Sequence, residues 1–510
     1  MWMRIVLVGV GVALAGLAAA VGWLCLATPG RGPATPTAGV TGETLRFPAG
    51  FYWGAAISGH QAESQQASDW TAFEDDVLRE RRFDAGVGYG TTRPGHIRDF
   101  GRWSPAVRRD KAGFEAHYAE DLAAAQSMGL NAVRISIEWA RLFPRAGMTE
   151  PAPEGIAYYR GVLAEMKARG ITPFVTLFHY VAPRWFFEPD ATGRRGWERG
   201  DALQHWGRFV EAVADRFIPD VEHWCTLNEP MVYLYNGYID GVYPPLEHRV
   251  DAAAAADVYA ALLGAHALAY RTLHRVAEAR GVHASVGITQ AAQAFAPLRA
   301  WHPADRVIAR LVTQAWNWDF LDAIASGRLR IAASDVDRAI PGLAGTQDYV
   351  GINYYTRVYI RGDLAHPTAP AVLYRDPAEP DEPVNDMGWT SYPHGLYAVL
   401  TDAARRYHRP LFILENGTAD HAADDLGRQR YIAAHVREVW LAIHQGGADV
   451  RGYIHWSLID NFEWVDGFGP RLGLIAVDYE NGWKRTPRAS AALYGEIARS
   501  NSLPARCARR

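Results

Sequence analysis

From residue 51 onward, short apolar runs alternate with longer stretches that carry apolar residues at every third or fourth position. The short runs read as buried strands and the longer stretches as amphipathic helices. Strands are predicted over 51–54, 131–139, 172–178, 223–228, 284–289, 349–355, 411–414 and 451–457. Helices are predicted over 113–128, 153–169, 201–217, 252–280, 304–326, 395–407, 427–445 and 488–499. Eight strands, each followed by a helix, are the pattern of a single α/β domain, a (β/α)8 TIM barrel with long βα loops. The chain shows no internal repeat and no second domain. Two loops stand out, the arginine-rich 79–111 and the Pro- and Asp-rich 356–393. Each either shapes the entrance to a site or is simply solvated.

Two of the strands run straight into a carboxylate. In Pro410-Leu-Phe-Ile-Leu-Glu415-Asn-Gly417, four apolar residues lead to Glu415 and a glycine ends the run. His223-Trp-Cys-Thr-Leu-Asn-Glu229-Pro230 has the same layout. One strand-end glutamate is usually a solvated terminus. Two of them, far apart in sequence, are what two-carboxylate chemistry on a barrel rim requires. The C-terminal ends of barrel strands face one mouth, so His179, Asn353, Tyr354, Tyr355 and Trp456 are expected to converge on the same place.

Composition narrows the function class. Over 510 residues the net charge is −4, too balanced for a polyelectrolyte that binds nucleic acid. Eighteen tryptophans and 24 tyrosines exceed what is usual; most will pack the core, and the excess points weakly to a cleft that stacks on sugar rings. The three cysteines, Cys25, Cys225 and Cys507, build neither a disulfide framework nor a metal site.

The N-terminus sets a further expectation. No charged residue interrupts 5–27, a run long enough to cross a bilayer core of about 30 Å. With Arg4 on its near side, it predicts an anchor with the body of the protein outside the cytoplasm. The alternative is a signal peptide cleaved after Cys25-Leu-Ala27 and a secreted enzyme. Residues 1–28 are thus read as signal peptide or membrane anchor, 29–44 as a flexible linker, 45–500 as the barrel and 501–510 as a tail.

Five segments, taken in order, resemble the family 1 glycoside hydrolases, which include β-glucosidases and β-galactosidases. They are Asn131-Ala-Val-Arg-Ile-Ser-Ile-Glu-Trp139, Thr226-Leu-Asn-Glu-Pro230, Gly351-Ile-Asn-Tyr-Tyr355, Leu414-Glu-Asn-Gly417 and Ser457-Leu-Ile-Asp-Asn-Phe-Glu-Trp464. The resemblance covers nearly everything from residue 47 to about 497. It implies a retaining, exo-acting β-glycosidase with Glu415 as nucleophile and Glu229 as general acid/base. Such chemistry needs two carboxyl groups about 5–5.5 Å apart, one ionised and one protonated. Arg134 is expected beside Glu415, where its charge favours the ionised form, and Tyr355 to donate to the same carboxylate. Glu229, near apolar walls and a negative neighbour, should keep its proton. The resemblance further implies that Gln61, His179, Asn228, Asn353, Glu463 and Trp464 bind the sugar and that Trp456 is its platform. Without the motif, His179 would read as a satisfied barrel histidine, and Trp456 and Trp464 as core. No metal or organic cofactor is expected, since two carboxylates suffice.

The chain also departs from the family. Ser64 stands in Gly59-His-Gln-Ala-Glu-Ser64 where Gly is common, Tyr180-Val-Ala-Pro-Arg-Trp185 replaces the usual Trp-Asp-Leu-Pro after His179, and Leu472 replaces an aromatic. These changes touch substrate choice and leave the chemistry intact. Two alternatives remain at this point. Tyr392-Pro-His-Gly-Leu-Tyr397 and Asp466-Gly-Phe-Gly-Pro470 look similar to a membrane-anchored family member that transfers galactose between lipids. A non-catalytic sugar-binding protein is the other alternative, although both carboxylates are present.

Overall fold

The computed structural model describes residues 43–84, 93–331, 334–362 and 371–508. Eight parallel strands close into a barrel: β1 (Tyr52–Ala56), β2 (Ala132–Ser136), β3 (Thr172–Phe178), β4 (His223–Asn228), β5 (Ser285–Ala291), β6 (Tyr349–Asn353), β7 (Leu411–Asn416) and β8 (Val450–Trp456). Each expected strand is present, with ends that move by a few residues. β7 runs two residues beyond its apolar stretch because Glu415 and Asn416 remain in the ladder, pairing with Asn353 and His455.

The barrel interior has an aromatic floor. Phe174 stacks on the His223 ring at 4.3 Å and meets Tyr52 and Phe412 at 5.4 Å each. Truncating one such ring costs about 3–5 kcal/mol, so this end of the barrel is packed core and no pore. Towards the C-terminal strand ends the interior becomes polar, with Arg134, Thr176, Asn228, Asn353 and Glu415 all buried. Ladder register shifts fall in this layer, between Cys225 and Asn228 of β4, at Ile352/Asn353 of β6 and between Ile413 and Asn416 of β7. Such irregularities re-aim side chains at strand ends.

Helices surround the barrel: α1 (Asp69–Glu80), α2 (Phe114–Ser127), α3 (Pro153–Ala168), α4 (Ala202–Phe217), α5 (Ala256–Arg280), α6 (Pro303–Thr313), α7 (Asp319–Ser326), α8 (Pro393–Tyr407), α9 (Leu426–His444) and α10 (Ala489–Ser500). α1, which periodicity did not reveal, is started by Ser68, whose hydroxyl accepts from the Thr71 amide at 3.1 Å. The helix expected over 304–326 is broken into α6 and α7 by a π-helical turn at Gln314–Trp318. A second π turn, Tyr235–Ile239, follows the short helix Pro230–Leu234. Both turns present side chains to the cavity described below, a common use of π irregularities.

The loop expected over 356–393 contains two strands. Arg357–Arg361 pairs with Ala294–Pro297 on one side and Ala371–Leu373 on the other, forming a small sheet above the barrel. Residues 502–503, placed by the sequence in a tail, pair with Leu45–Arg46. Asn501 then fastens this junction, accepting from the Trp53 indole at 2.8 Å and donating to the Pro48 carbonyl at 2.9 Å.

The expectation of an exported, membrane-anchored protein is corrected. Among the described residues no helix is long and apolar enough to cross a membrane. The longest, α5, exposes Asp257, Arg271, Arg275, Glu278 and Arg280 while Leu262, Leu263 and Leu273 are buried. The run at 5–27 and nearly all of the expected linker lie outside the described residues.

Candidate active site

Glu229 and Glu415 meet in one cavity at the C-terminal mouth of the barrel. Its volume is about 160 Å³. That exceeds the roughly 30 Å³ share of a water several-fold, enough room for a small ligand. His179, Asn228, Tyr355, Trp456, Glu463 and Trp464 also line it. Arg134, Asn353 and Gln61 do not; they stand behind the wall and hold its members.

Glu415 is fully provided with partners. Arg134 Nη1 donates to its Oε1 at 2.5 Å, and Tyr355 Oη donates to its Oε2 at 2.6 Å. The guanidinium is itself fixed by the Thr176 hydroxyl at 2.9 Å and by Asn228 Oδ1 at 2.7 Å. A buried arginine costs several kcal/mol to desolvate, so this one is worth placing only where it meets a compensating charge. The following residues hold the strand end. Asn416 donates to the Tyr354 carbonyl at 2.6 Å and accepts from Tyr453 at 2.6 Å. At Gly417, any Cβ would lie 1.8 Å from the Trp456 carbonyl oxygen, so only glycine lets β7 and β8 approach this closely.

Glu229 keeps different company. Asn353 Nδ2 donates to its Oε1 at 2.8 Å and also reaches Asn228 Oδ1 at 3.2 Å. Its Oε2 accepts from the Tyr180 hydroxyl. No cation pairs with it among the described residues. Burial, and then the negative charge of Glu415, push its carboxyl up to about 7, against the pull of the Tyr180 and Asn353 donors. Arg134, Asn228 and Asn353 thus link the two carboxylates through a continuous chain of hydrogen bonds.

The sugar-binding candidates divide into wall and support. His179 lies between the indoles of Trp456 and Trp464, nearly parallel to both at 5.9 and 6.0 Å. Burial, with Arg134 nearby, holds its imidazole well below the ordinary range, so the ring is neutral. Its Nε2 meets Asn228 Nδ2 at 3.2 Å, which makes it the acceptor there. Glu463 is pushed up to about 8 by burial, then by Asp466 and Glu415. Gln61 donates to the Phe462 carbonyl at 2.8 Å and to Glu463 at 3.3 Å, and accepts from Ser58 at 2.7 Å. Its amide is therefore spent on positioning the 461–463 segment.

The remaining wall holds no residue that the sequence assigned a catalytic or sugar-binding role, although Tyr180 and Leu472 stand among the departures that touch substrate choice and Asp466 in the 466–470 segment. Tyr180, Tyr243, Trp316, Tyr374, Trp389, Met387, Leu472 and Asp466 contribute to it, with Asn236 and Gln293 as polar members. Trp316 and Asn236 arrive through the two π turns, which hydrophobic periodicity cannot show. Tyr374 follows the small upper sheet, in the segment taken for a loop. The segment 392–397, one basis for the lipid-transferase alternative, contributes no residue to the cavity.

The sequence model of glycosyl hydrolase family 1 matches residues 43–503. A β-galactosidase from Sulfolobus acidocaldarius is 32% identical over 90% of this chain and 96% of its own length. β-Glucosidase A from Thermotoga maritima is 28% identical over 90% of this chain and 99% of its own. The solved structure of a β-glycosidase from Pyrococcus horikoshii superposes with a TM-score of 0.76, at 36% identity, covering 90% of this chain and 96% of that one. With a match over nearly the whole barrel and its five motifs gathered at one mouth, the chain belongs to glycosyl hydrolase family 1.

Proposed function

We propose that the protein is a retaining, exo-acting β-glycosidase in which Glu415 is the nucleophile and Glu229 the general acid/base. The observation that carries this assignment is the asymmetry of the pair. Glu415 is ion-paired to Arg134 and accepts from Tyr355, whereas Glu229 forms no ion pair among the described residues and is pushed up to about 7 by burial and Glu415. A Glu415 oxygen attacks the anomeric carbon as the bond to the leaving oxygen breaks, and Glu229 gives that oxygen its proton. The sugar is then esterified to Glu415, whose negative charge is gone. Glu229, now ionised, takes a proton from water; the water oxygen bonds to the anomeric carbon and the ester bond breaks. The product is the β-anomer.

His179, Asn228, Glu463 and Trp464 would hold the hydroxyls of the terminal ring against the Trp456 face, with Asn353 and Gln61 supporting from behind. Relatives named as β-galactosidase and β-glucosidase make gluco- and galactosides the first substrates to try. The aromatic members Tyr243, Trp316, Tyr374 and Trp389 suit an apolar or planar leaving group.

The test is hydrolysis of nitrophenyl β-glucoside and β-galactoside, with product anomers followed by NMR from the first turnover. The expected result is the β-anomer first, and a loss on the order of 10⁴-fold or more in Glu415→Ala. First release of the α-anomer, or turnover surviving in that variant, contradicts the assignment.

A further inference from the structure

Tyr180 is the residue at which the chain leaves the family pattern immediately beside the site, a tyrosine where tryptophan is usual. Its backbone is in the left-handed region, at φ 71°, an uncommon and costly conformation for a bulky aromatic. Glu229 and Trp464, at φ 45° and 51°, share that region, and the three side chains meet in one cavity wall. The Tyr180 ring packs edge-on against Trp464 at 5.2 Å, lies 5.7 Å from Tyr243 and runs parallel to Tyr233 at 6.4 Å. Held on these sides, its hydroxyl has one described partner, Glu229 Oε2. Asn353 holds the other oxygen. A tryptophan indole at this position would carry no hydroxyl.

We infer that Tyr180 is a positioning residue for Glu229, fixing the plane of the acid/base carboxyl and, through its hydrogen bond, favouring the ionised form that the second step needs. This rests on Glu229 being the acid/base. The charge environment fits. Burial keeps the Tyr180 proton in place far above the ordinary phenol range, so the hydroxyl is a permanent donor. Glu229 is otherwise faced by Glu415 of β7, by Arg134 of β2, by Asn353 and Tyr355 at the end of β6, by Tyr243 beyond the π turn Tyr235–Ile239 and by Glu463. Of these, Glu415 is negative and opposes ionisation of Glu229, as burial does, while Glu463 is itself pushed up to about 8 and keeps its proton at neutral pH. Tyr180 and Asn353 are the two neutral donors that, with Arg134, work against burial and Glu415, which is why Glu229 stays within reach of neutral pH.

The experiment measures the pH dependence of kcat/KM for wild type, Tyr180→Phe and Tyr180→Trp in the full-length enzyme. It uses one alkyl β-glycoside, whose leaving oxygen needs a proton, and one 2,4-dinitrophenyl β-glycoside, which departs without one. Tyr180→Phe is expected to move the alkaline limb upward by about half a unit or more, because a donor to the charged form is lost, and Tyr180→Trp by less, because its indole N–H can still donate. Tyr180→Phe should lose about tenfold on the alkyl glycoside and about twofold or less on the dinitrophenyl glycoside, because only the former uses the positioned proton. Tyr180→Phe keeps the ring and removes the hydroxyl, which assigns the effect to the hydrogen bond; Tyr180→Trp restores family-type packing with an indole N–H as the one donor left. An unmoved limb, or equal losses on both substrates, overturns the inference and leaves Tyr180 as packing. Glu229→Gln separates the two levels: if the limb persists in that variant, the assignment of Glu229 fails, not that of Tyr180.

Discussion

Glu74 on α1 and Glu229 at the end of β4 are both withdrawn from water but have opposite surroundings. Lys111 Nζ and His60 Nε2 share one Glu74 oxygen, at 2.6 and 2.8 Å, and Gln65 donates to the other at 2.7 Å. Burial alone would push Glu74 up; Lys111 and then His60 outweigh it and hold the carboxyl at about 2. The Lys111 ammonium also sits over the Phe462 ring at 3.8 Å, which adds a favourable cation–π contact. Glu229 has burial and a negative neighbour instead, and lies at about 7. The first arrangement locks a charge in place, and the second leaves a proton ready to move.

A raised value alone does not mark the site. Glu138 is pushed up to about 8, by burial and then by Glu63, yet it accepts from Ser136 at 2.7 Å and lies off the cavity. What distinguishes Glu229 is the combination of an uncompensated carboxyl, a cavity and a second, ion-paired carboxylate in the same wall.

The comparison breaks most directly at Lys111. Lys111→Met leaves Glu74 buried with His60 and the neutral Gln65 amide, and stability is expected to fall by about 3–5 kcal/mol, read from denaturant midpoints. A loss below about 1 kcal/mol would show that the cluster is not holding a charge. Glu229→Gln should act in the other direction. A carboxyl raised from 4.5 to about 7 costs stability in the window above 4.5, and the full cost is reached above about pH 7. The variant is therefore expected to be more stable than wild type at pH 8, by on the order of 1–3 kcal/mol, with the gap closing towards pH 4.5. No gain at pH 8 would remove the claim that Glu229 is uncompensated. The smallest effect is expected for Glu138→Gln, whose kcat/KM should stay within about twofold of wild type, since the side chain does not line the cavity. A tenfold loss would bring Glu138 into the site.

Much of this was legible because barrel strands carry their own punctuation. The runs at 172–178 and 223–228 match β3 and β4 because apolar residues stop at His179 and Glu229. The carboxylates, Arg134 and Tyr355 followed from strand ends and motif. The π turns were not legible, since a single inserted residue leaves the helical pattern of 304–326 apparently intact. The upper sheet was hidden by reading 356–393 as one polar stretch, although Arg-Val-Tyr-Ile-Arg alternates as a half-buried strand should. Tyr180 was visible only as a departure. Its role depends on a left-handed backbone and on a partner 49 residues away. The membrane assignment rested on composition at the N-terminus alone, and no described helix supports it.

The central claim is that Glu415 forms a bond to the sugar while Glu229 only moves protons. The direct measurement is to trap the enzyme with a 2,4-dinitrophenyl 2-deoxy-2-fluoro-β-glycoside, in which fluorine slows the second step, and to locate the adduct by peptide mass spectrometry. The account predicts one sugar per chain, attached to Glu415 in the β7 peptide, and loss of activity in step with labelling. A label on Glu229 or Glu463, or continued hydrolysis with no adduct, would contradict it.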